Sequence, residues 1–283
     1  MTVQTYLLPT SLPEALEMVG QHGPGLLVMA GGTVAMPLIN DGVSLPEVVM
    51  GLRRAGLDRL ERGDGTVRIG AMTTLTQLLG SQDIPMLSEA ARSTASWSIR
   101  NMGTVGGNLF TPPPGGDVAV ALLALDADVT LSSPGGDRVL PLADFYTGFM
   151  TNRLADDELL VGLEVPIPSG ATAYRKFGRK HANTPAVVTV AIHVEWDGTR
   201  AADVRIALGA VGPHPIRARA AEQVLVGTSL GPDTIAEAAA VAAGECEPFT
   251  DAIATEWYRR RMTGVFVGRA LEQVAQAAGH EEA

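Results

Sequence analysis

Ile99-Arg100-Asn101-Met102-Gly103-Thr104-Val105-Gly106-Gly107-Asn108 is the stretch on which the reading of this chain turns. Gly103, Gly106 and Gly107 leave the backbone bare, so amides here can approach a ligand with no Cβ in the way. Successive N–H groups in such a loop form a concave nest for an anion. Thr104 and Asn108 add a hydroxyl and a carboxamide at the same place. Thr111, Pro112-Pro113-Pro114 and Asp117 follow, and the proline run stiffens that segment. An earlier stretch has the same character: Met29-Ala30-Gly31-Gly32-Thr33-Val34, with Pro37 just after it. It closes the apolar run from Leu26 to Met29, a strand-to-loop signal. Either loop alone reads more readily as a turn, because paired glycines are common turn residues. Neither is G-x-G-x-x-G nor G-x-x-x-x-G-K-[ST], the common phosphate fingerprints. A dinucleotide offers phosphate, ribose and a flat ring, so it needs more than one such loop. The pair suits it better than either loop does.

Working outward, residues Tyr6 to Leu8 read as a strand and Glu14 to Val19 as a helix opened by Pro9 to Pro13, with Ser11 as N-cap. Leu26 to Met29 and Val48 to Met50 complete a β-α-β opening. Asp64-Gly65 marks a hairpin. Helices are expected from Thr74 to Leu79, from Pro85 to about Ser96, and from Asp117 to Leu125. Val129 to Ser132 and Leu159 to Val165 read as strands, and Pro134-Gly135-Gly136-Asp137 as a tight turn. Pro166-Ile167-Pro168-Ser169-Gly170 is a candidate domain boundary. Beyond it, Val187 to Glu195 and Val204 to Val211 alternate around Asp197-Gly198. Three helices are expected near Arg217 to Val226, Pro232 to Ala243 and Thr255 to Ala277. A sheet covered by helices makes an α+β domain.

The 283 residues, 46% of them apolar, suffice for two domains with sizeable cores. The net charge of −10 argues against a nucleic-acid partner and against anionic membranes. Arg259-Arg260-Arg261, beside Glu256, reads as a solvated or subunit-facing helix face. A single cysteine, Cys246, excludes an internal disulfide framework. It also excludes an iron–sulfur cluster, which takes about four thiolates. The five histidines show no metal spacing, and His181, His193 and His214 read as surface or hydrogen-bonded residues. No catalytic set and no metal site is expected. The opening residues lack the basic and apolar regions of a signal peptide. No apolar stretch approaches the roughly 20 residues that span a bilayer. A soluble, cytoplasmic protein without membrane insertion is the expectation.

Taken together, four segments resemble the FAD-binding medium subunit of the molybdenum hydroxylases, the group of the carbon monoxide dehydrogenase medium subunit and the xanthine dehydrogenase flavin domain. They are Ala30-Gly31-Gly32-Thr33 with Pro37; Arg100 to Asn108; Asp144-Phe145-Tyr146-Thr147-Gly148 leading to Asp157-Glu158-Leu159-Leu160; and Tyr174-Arg175-Lys176-Phe177 with Arg179-Lys180. Their order and spacing run along nearly the whole chain, and T-V-G-G-N is the most specific. The resemblance implies an α+β fold: a two-part FAD-binding domain of the molybdopterin dehydrogenase type over residues 1–168 (subdomains about 1–56 and 57–168), then a C-terminal α+β domain over 171–283 with an antiparallel sheet and helices. It implies non-covalent FAD. Met29, Ala30, Gly31, Gly32, Thr33 and Val34 would wrap the pyrophosphate. Ile99, Gly103, Thr104, Gly106, Gly107 and Asn108 would form a second phosphate and ribityl clamp. Thr111 and Asp117 match positions that contact the flavin nucleotide, Leu160 an aliphatic residue beside the pocket, and Lys176 a lysine at the edge of the flavin site. The proline-rich stretch 111–117, and Asn183 where the family usually places Asp, depart from the pattern.

The resemblance further implies partners: an iron–sulfur small subunit with two [2Fe–2S] clusters and a large subunit carrying the molybdenum cofactor, assembled as a dimer of heterotrimers. The function implied is electron transfer, from the clusters to this FAD and on to an external acceptor. Two other readings stay open at this point, a stand-alone flavin oxidoreductase and a non-catalytic nucleotide-binding module.

Overall fold

Short apolar runs set between glycine-bearing loops form the first sheet. The computed structural model describes residues 3–180 and 183–279; the position of His181 lies outside them. Strands β1 (Thr5–Leu7), β2 (Leu26–Met29) and β3 (Val48–Gly51) are linked by helices α1 (Leu12–His22) and α2 (Ala35–Asn40). They pair in parallel in the order β1-β3-β2. Ser11 caps α1, its hydroxyl accepting from the Glu14 N–H. Ala15, Leu16 and Val19 bury the inner face of α1 against Met50 and Leu52. Helix α2 has no buried residue.

The second part is built on an antiparallel sheet. Strands β4 (Leu60–Arg62) and β5 (Thr66–Gly70) form the hairpin at Asp64-Gly65, and Gly65 takes the positive φ of 76° that this turn needs. Helices α3 (Leu75–Leu78), α4 (Pro85–Ser93), α5 (Trp97–Arg100), α6 (Val105–Leu109) and α7 (Asp117–Ala124) follow. Then come β6 (Asp128–Ser133), β7 (Gly136–Pro141), α8 (Leu142–Phe145), the small pair β8 (Tyr146–Gly148) and β9 (Thr151–Asn152), and β10 (Leu159–Pro166). The five-stranded order is β4-β5-β10-β6-β7. The helix expected to reach about Ser96 ends at Ser93, and Arg100 explains the break. Its guanidinium Nη1 donates to the carbonyls of Arg92, Thr94 and Ala95, turning that segment outward before α5.

The third part carries β11 (Ala171–Gly178), β12 (Ala186–Asp197), β13 (Arg200–Gly209) and β14 (Ile216–Arg217) in one antiparallel sheet, in that order, followed by α9 (Arg219–Leu225), α10 (Pro232–Glu245) and α11 (Glu256–Ala277). Helices α9, α10 and α11 cover one face of this sheet. The opposite face meets α7. Every residue of α7 is buried, as expected of a helix apolar all round. Tyr174, Ala191 and Ala207 from the C-terminal sheet belong to the same core as α7 and the five-stranded sheet. Gly209 allows this approach, since a Cβ there would run into the Val120 side chain.

One expectation fails outright. Arg259 is not solvated: it is fully buried, its Nη1 donating to the carbonyls of Ala186, Val187 and Ala210 and its Nη2 to the Asp251 carboxylate. A long side chain with five donors can fasten several backbone carbonyls at once. Arg261, two residues on, is exposed as expected.

Candidate functional site

The first glycine loop leaves the sheet at the carboxyl end of β2, next to the central strand β3. In open parallel sheets ligands bind at this end of the strands. Gly32 takes a φ of 71°, and the loop turns there into α2, with the Met36 N–H closing on the Gly32 carbonyl. The N–H groups of Gly31, Gly32, Thr33 and Val34 find no acceptor among the described residues. Four consecutive bare donors of this kind form an anion nest.

The second loop is fastened differently. The Val105 N–H donates to Thr73 O at 2.9 Å and the Gly106 N–H to Ala71 O at 2.9 Å. Thr104 caps the short helix α6 through its hydroxyl, which accepts from the Gly107 N–H at 3.0 Å. Gly106 must lack a side chain because a Cβ would stand 2.8 Å from Ala71 O. Gly103 packs on Thr33 and Gly107 faces Ala30, so the two loops form one surface. The closest approach is at Gly31, where a Cβ would collide with the Met102 carbonyl. Ile99 supports the turn from below, its carbonyl accepting from the Met102 and Gly103 N–H groups. Thr111 donates to Gly107 O at 3.1 Å.

Asn108 joins the loop to α7. Its buried Oδ1 accepts from the Val118 and Ala119 N–H groups, both at 3.0 Å, and so caps the start of that helix. Its Nδ2 makes no hydrogen bond among the described residues. Asp117 heads the same helix and is 5% exposed. One carboxylate oxygen accepts from Lys176 Nζ at 2.6 Å, the other from the Thr189 hydroxyl at 3.1 Å. Lys176 also donates to Ser93 O at 3.2 Å, and Ser93 Oγ lies 3.2 Å from the Tyr174 hydroxyl. Burial raises the Asp117 carboxyl above its usual range, and the nearby Lys176 charge opposes that shift. Burial also drives the Tyr174 hydroxyl well above its ordinary value, so it stays protonated.

Met29 to Val34 and Ile99 to Asn108, with Thr111, are therefore brought together. Asp117 and Lys176 meet each other in a buried pair at the start of α7. Leu160 lies in the main core, opposite Leu131 on the neighbouring strand. Sequence reasoning missed the Ala71 and Thr73 carbonyls that fasten the second loop, and Ser93 and Thr189 in the buried pair's surroundings. Backbone acceptors leave no residue-type signal, and the two hydroxyls come from segments remote in sequence. Among the described residues, no group of His, Cys, Asp and Glu could hold a metal ion, and no helix is long and apolar enough to cross a membrane.

A β-α-β unit with a bare amide nest, closed by a second glycine loop on an antiparallel domain, defines a nucleotide-cofactor protein outside the G-x-G-x-x-G class. Residues 1–168 match the FAD binding domain in molybdopterin dehydrogenase, and residues 172–274 match the CO dehydrogenase flavoprotein C-terminal domain. The chain belongs to this family of FAD-binding molybdopterin dehydrogenase subunits. It is 30% identical over 277 residues to the glyceraldehyde dehydrogenase medium chain of Sulfolobus acidocaldarius, covering 96% of this chain and 98% of that one. To the carbon monoxide dehydrogenase medium chain of Hydrogenophaga pseudoflava it is 32% identical over 273 residues, with 94% and 95% covered. A chain of the reconstituted CO dehydrogenase from Oligotropha carboxidovorans superposes with a TM-score of 0.93 at 30% identity, covering 98% of both chains. The protein is thus an FAD-binding component of an oxidoreductase. The site fits that cofactor: four consecutive free amides suit an anionic group such as a pyrophosphate, and the loop that carries them packs closely on the second loop, Gly31 against Met102 and Ala30 against Gly107.

Proposed function

We propose that this chain is the electron-transfer subunit of a molybdenum hydroxylase complex, receiving electrons from iron–sulfur clusters on a partner subunit and delivering them to an external acceptor. The observation that carries this is the amide nest from Gly31 to Val34, in a chain whose described residues include no metal cluster. When bound, FAD supplies the redox chemistry, and the protein supplies position and electrostatics. Gly31 to Val34 would hold the pyrophosphate through their free backbone N–H groups, with Met29 and Ala30 leading into the loop. Thr104, Gly106, Gly107 and Asn108 form the facing wall, where Asn108 Nδ2 is free to donate. Ile99 and Gly103 set the height of that wall, and Thr111 ties its far end. Asp117 and Lys176 support the site from behind, as the buried pair at the start of the helix that Asn108 caps, and Leu160 lies in the core of the five-stranded sheet. The division into an FAD-binding part over 1–168 and a C-terminal part over 171–283 is supported by the point at which the two matched profiles meet. The partners are an iron–sulfur small subunit and a molybdenum-cofactor large subunit, in a cytoplasmic dimer of heterotrimers.

The test is turnover with and without those partners. The purified chain should be yellow, bleach with dithionite, and oxidise no organic substrate until the partner subunits are supplied. Full substrate turnover by the chain alone, with FAD its only cofactor, would overturn the proposal in favour of a stand-alone flavin oxidoreductase. A colourless chain without FAD affinity would leave only a nucleotide-binding module.

A further inference from the structure

The outer face of α11 carries Trp257, Arg261, Val265 and Arg269 at successive intervals of four, which sets them in one row along the helix. All four are exposed, Trp257 to 67%. Arg261 lies over the Trp257 ring at 5.6 Å and Arg269 over the Phe266 ring at 5.3 Å. Strand β11 runs alongside: Phe177 packs on Phe266 and Tyr258, and Arg175 shares a shallow depression with Arg269 and a single carboxylate, Glu272. Arg179 reaches the Ala252 carbonyl beyond the far end of the row. Arg175, Arg179, Arg261 and Arg269 form no ion pair among the described residues. A chain of net charge −10 thus gathers more guanidinium groups than carboxylates on one face, beside an exposed tryptophan, with Glu272 in the depression and Glu89 near Arg175.

We infer that this face docks a carboxylate-rich surface of a partner polypeptide, with Trp257 as its apolar anchor. Arg and Trp are the residues that carry most binding energy at protein interfaces. A guanidinium held against an aromatic ring is pre-ordered and keeps its donors for carboxylates. The sign of the charge selects the partner. A second copy presenting the same face would set arginine against arginine, so symmetric self-pairing here is repelled. The inference rests on the subunit reading above, because it names a protein partner of that complex as the occupant.

The test uses R261E/R269E and W257A in the full chain, each titrated against the purified iron–sulfur and molybdenum-cofactor subunits at low and high salt. All three side chains are exposed and remote in sequence from the glycine loops, so FAD content and far-UV circular dichroism should match the parent. The parent should bind with an affinity that falls as salt rises. R261E/R269E should lose at least tenfold and W257A several-fold, and R261K/R269K should recover part of the loss. Parent-like binding by both R261E/R269E and W257A would overturn the inference and leave the subunit reading intact. A parent that binds neither subunit would overturn both. Parent binding to phosphatidylserine vesicles, lost in R261E/R269E while subunit binding is unchanged, would replace the protein partner by a membrane. Parent self-association in sedimentation velocity, abolished by R261E/R269E with no effect on the subunits, would overturn it in favour of a second copy.

Discussion

Gly31→Ala is the sharpest perturbation of the proposed cofactor site. An alanine Cβ at Gly31 would fall well inside contact distance of the Met102 carbonyl oxygen and 3.1 Å from Gly103 Cα. Both neighbours are backbone, so neither can rotate away. The Met102 carbonyl is held by a turn in which the Ile99 carbonyl accepts from the Met102 and Gly103 N–H groups, and the Gly103 carbonyl accepts from the Leu75 N–H. The first loop must therefore lift off the second. Overpacking of this kind costs about 1–3 kcal/mol. The loop that moves is the one bearing the free amides of Gly31 to Val34, so the loss should appear in cofactor affinity as well as in stability. An FAD dissociation constant raised about 10–100-fold corresponds to roughly 1.4–2.7 kcal/mol, within that range. Flavin fluorescence quenching on titration with FAD reads the affinity, and urea unfolding of the apoprotein reads the stability. Gly20→Ala is the control: it lies in α1, a Cβ there meets nothing within 4 Å, and its φ is not positive. It should stabilise the protein by about 0.5–1 kcal/mol with FAD affinity unchanged. If Gly31→Ala binds FAD as tightly as the parent, the contact between the two loops does not set the amide nest, and the argument fails.

Other outcomes follow from the buried polar groups. Lys176→Met strands the Asp117 carboxylate in the core and should destabilise by about 3–5 kcal/mol near neutral pH. Burial already raises Asp117, and removing Lys176 removes the charge that opposes the shift, so the folded state then holds a proton that the unfolded state releases above its usual 3.8. Stability of the variant should fall as pH rises from that value, a slope visible in urea midpoints at pH 5 and 8, and Lys176→Met/Asp117→Asn should flatten it. Glu158 behaves oppositely: the hydrogen bond from Arg138 lowers its pKa, so its contribution is present above its usual 4.5 and lost as pH falls below that. Arg138→Ala should make acid unfolding less steep in that range, measured by circular dichroism. Cys246 is buried and burial pushes its thiol up to about 11, so native protein should resist Ellman's reagent at pH 8 and react fully only in guanidinium.

Much of the fold was legible from local chemistry. The opening β-α-β unit follows from apolar runs broken by glycine loops, with a serine cap that the structure contains. The Asp64-Gly65 and Asp197-Gly198 hairpins both form. Strand β11 gives no strand signal in the sequence, because its sheet is covered on both faces and Ala171 to Gly178 shows no clean alternation. The burial of Arg259 is hidden for a related reason. Charge predicts exposure only where nothing inside needs a donor, and Ala186, Val187 and Ala210 present carbonyls there that the helix α11 brings Arg259 to meet. At the site, the glycines pick out two loops that the fold brings into contact. They could not reveal that the loops differ in what they have left to offer, since that depends on acceptors at Ala71 and Thr73 from another part of the chain.

That difference bears on how the site works. In the second loop the Val105 and Gly106 amides are spent on the Thr73 and Ala71 carbonyls respectively, the Gly107 amide on Thr104, and the Asn108 carboxamide oxygen on the head of α7. These bonds make the loop a rigid wall, fixed to the five-stranded sheet on one side and to α7 on the other. The amides of the first loop from Gly31 to Val34 carry no such bonds, and the loop leads into α2, which buries no residue of its own. Its shape is set by contact with the wall, through Gly31 on Met102, Thr33 on Gly103 and Ala30 on Gly107. The free donors therefore sit on the compliant loop and the positional precision on the fixed one. The fixed loop in turn depends on the C-terminal sheet, because Lys176 and Thr189 hold the Asp117 carboxylate at the start of the same helix that Asn108 caps. By this route the C-terminal part of the chain supports the proposed cofactor site, although it supplies none of the free amides.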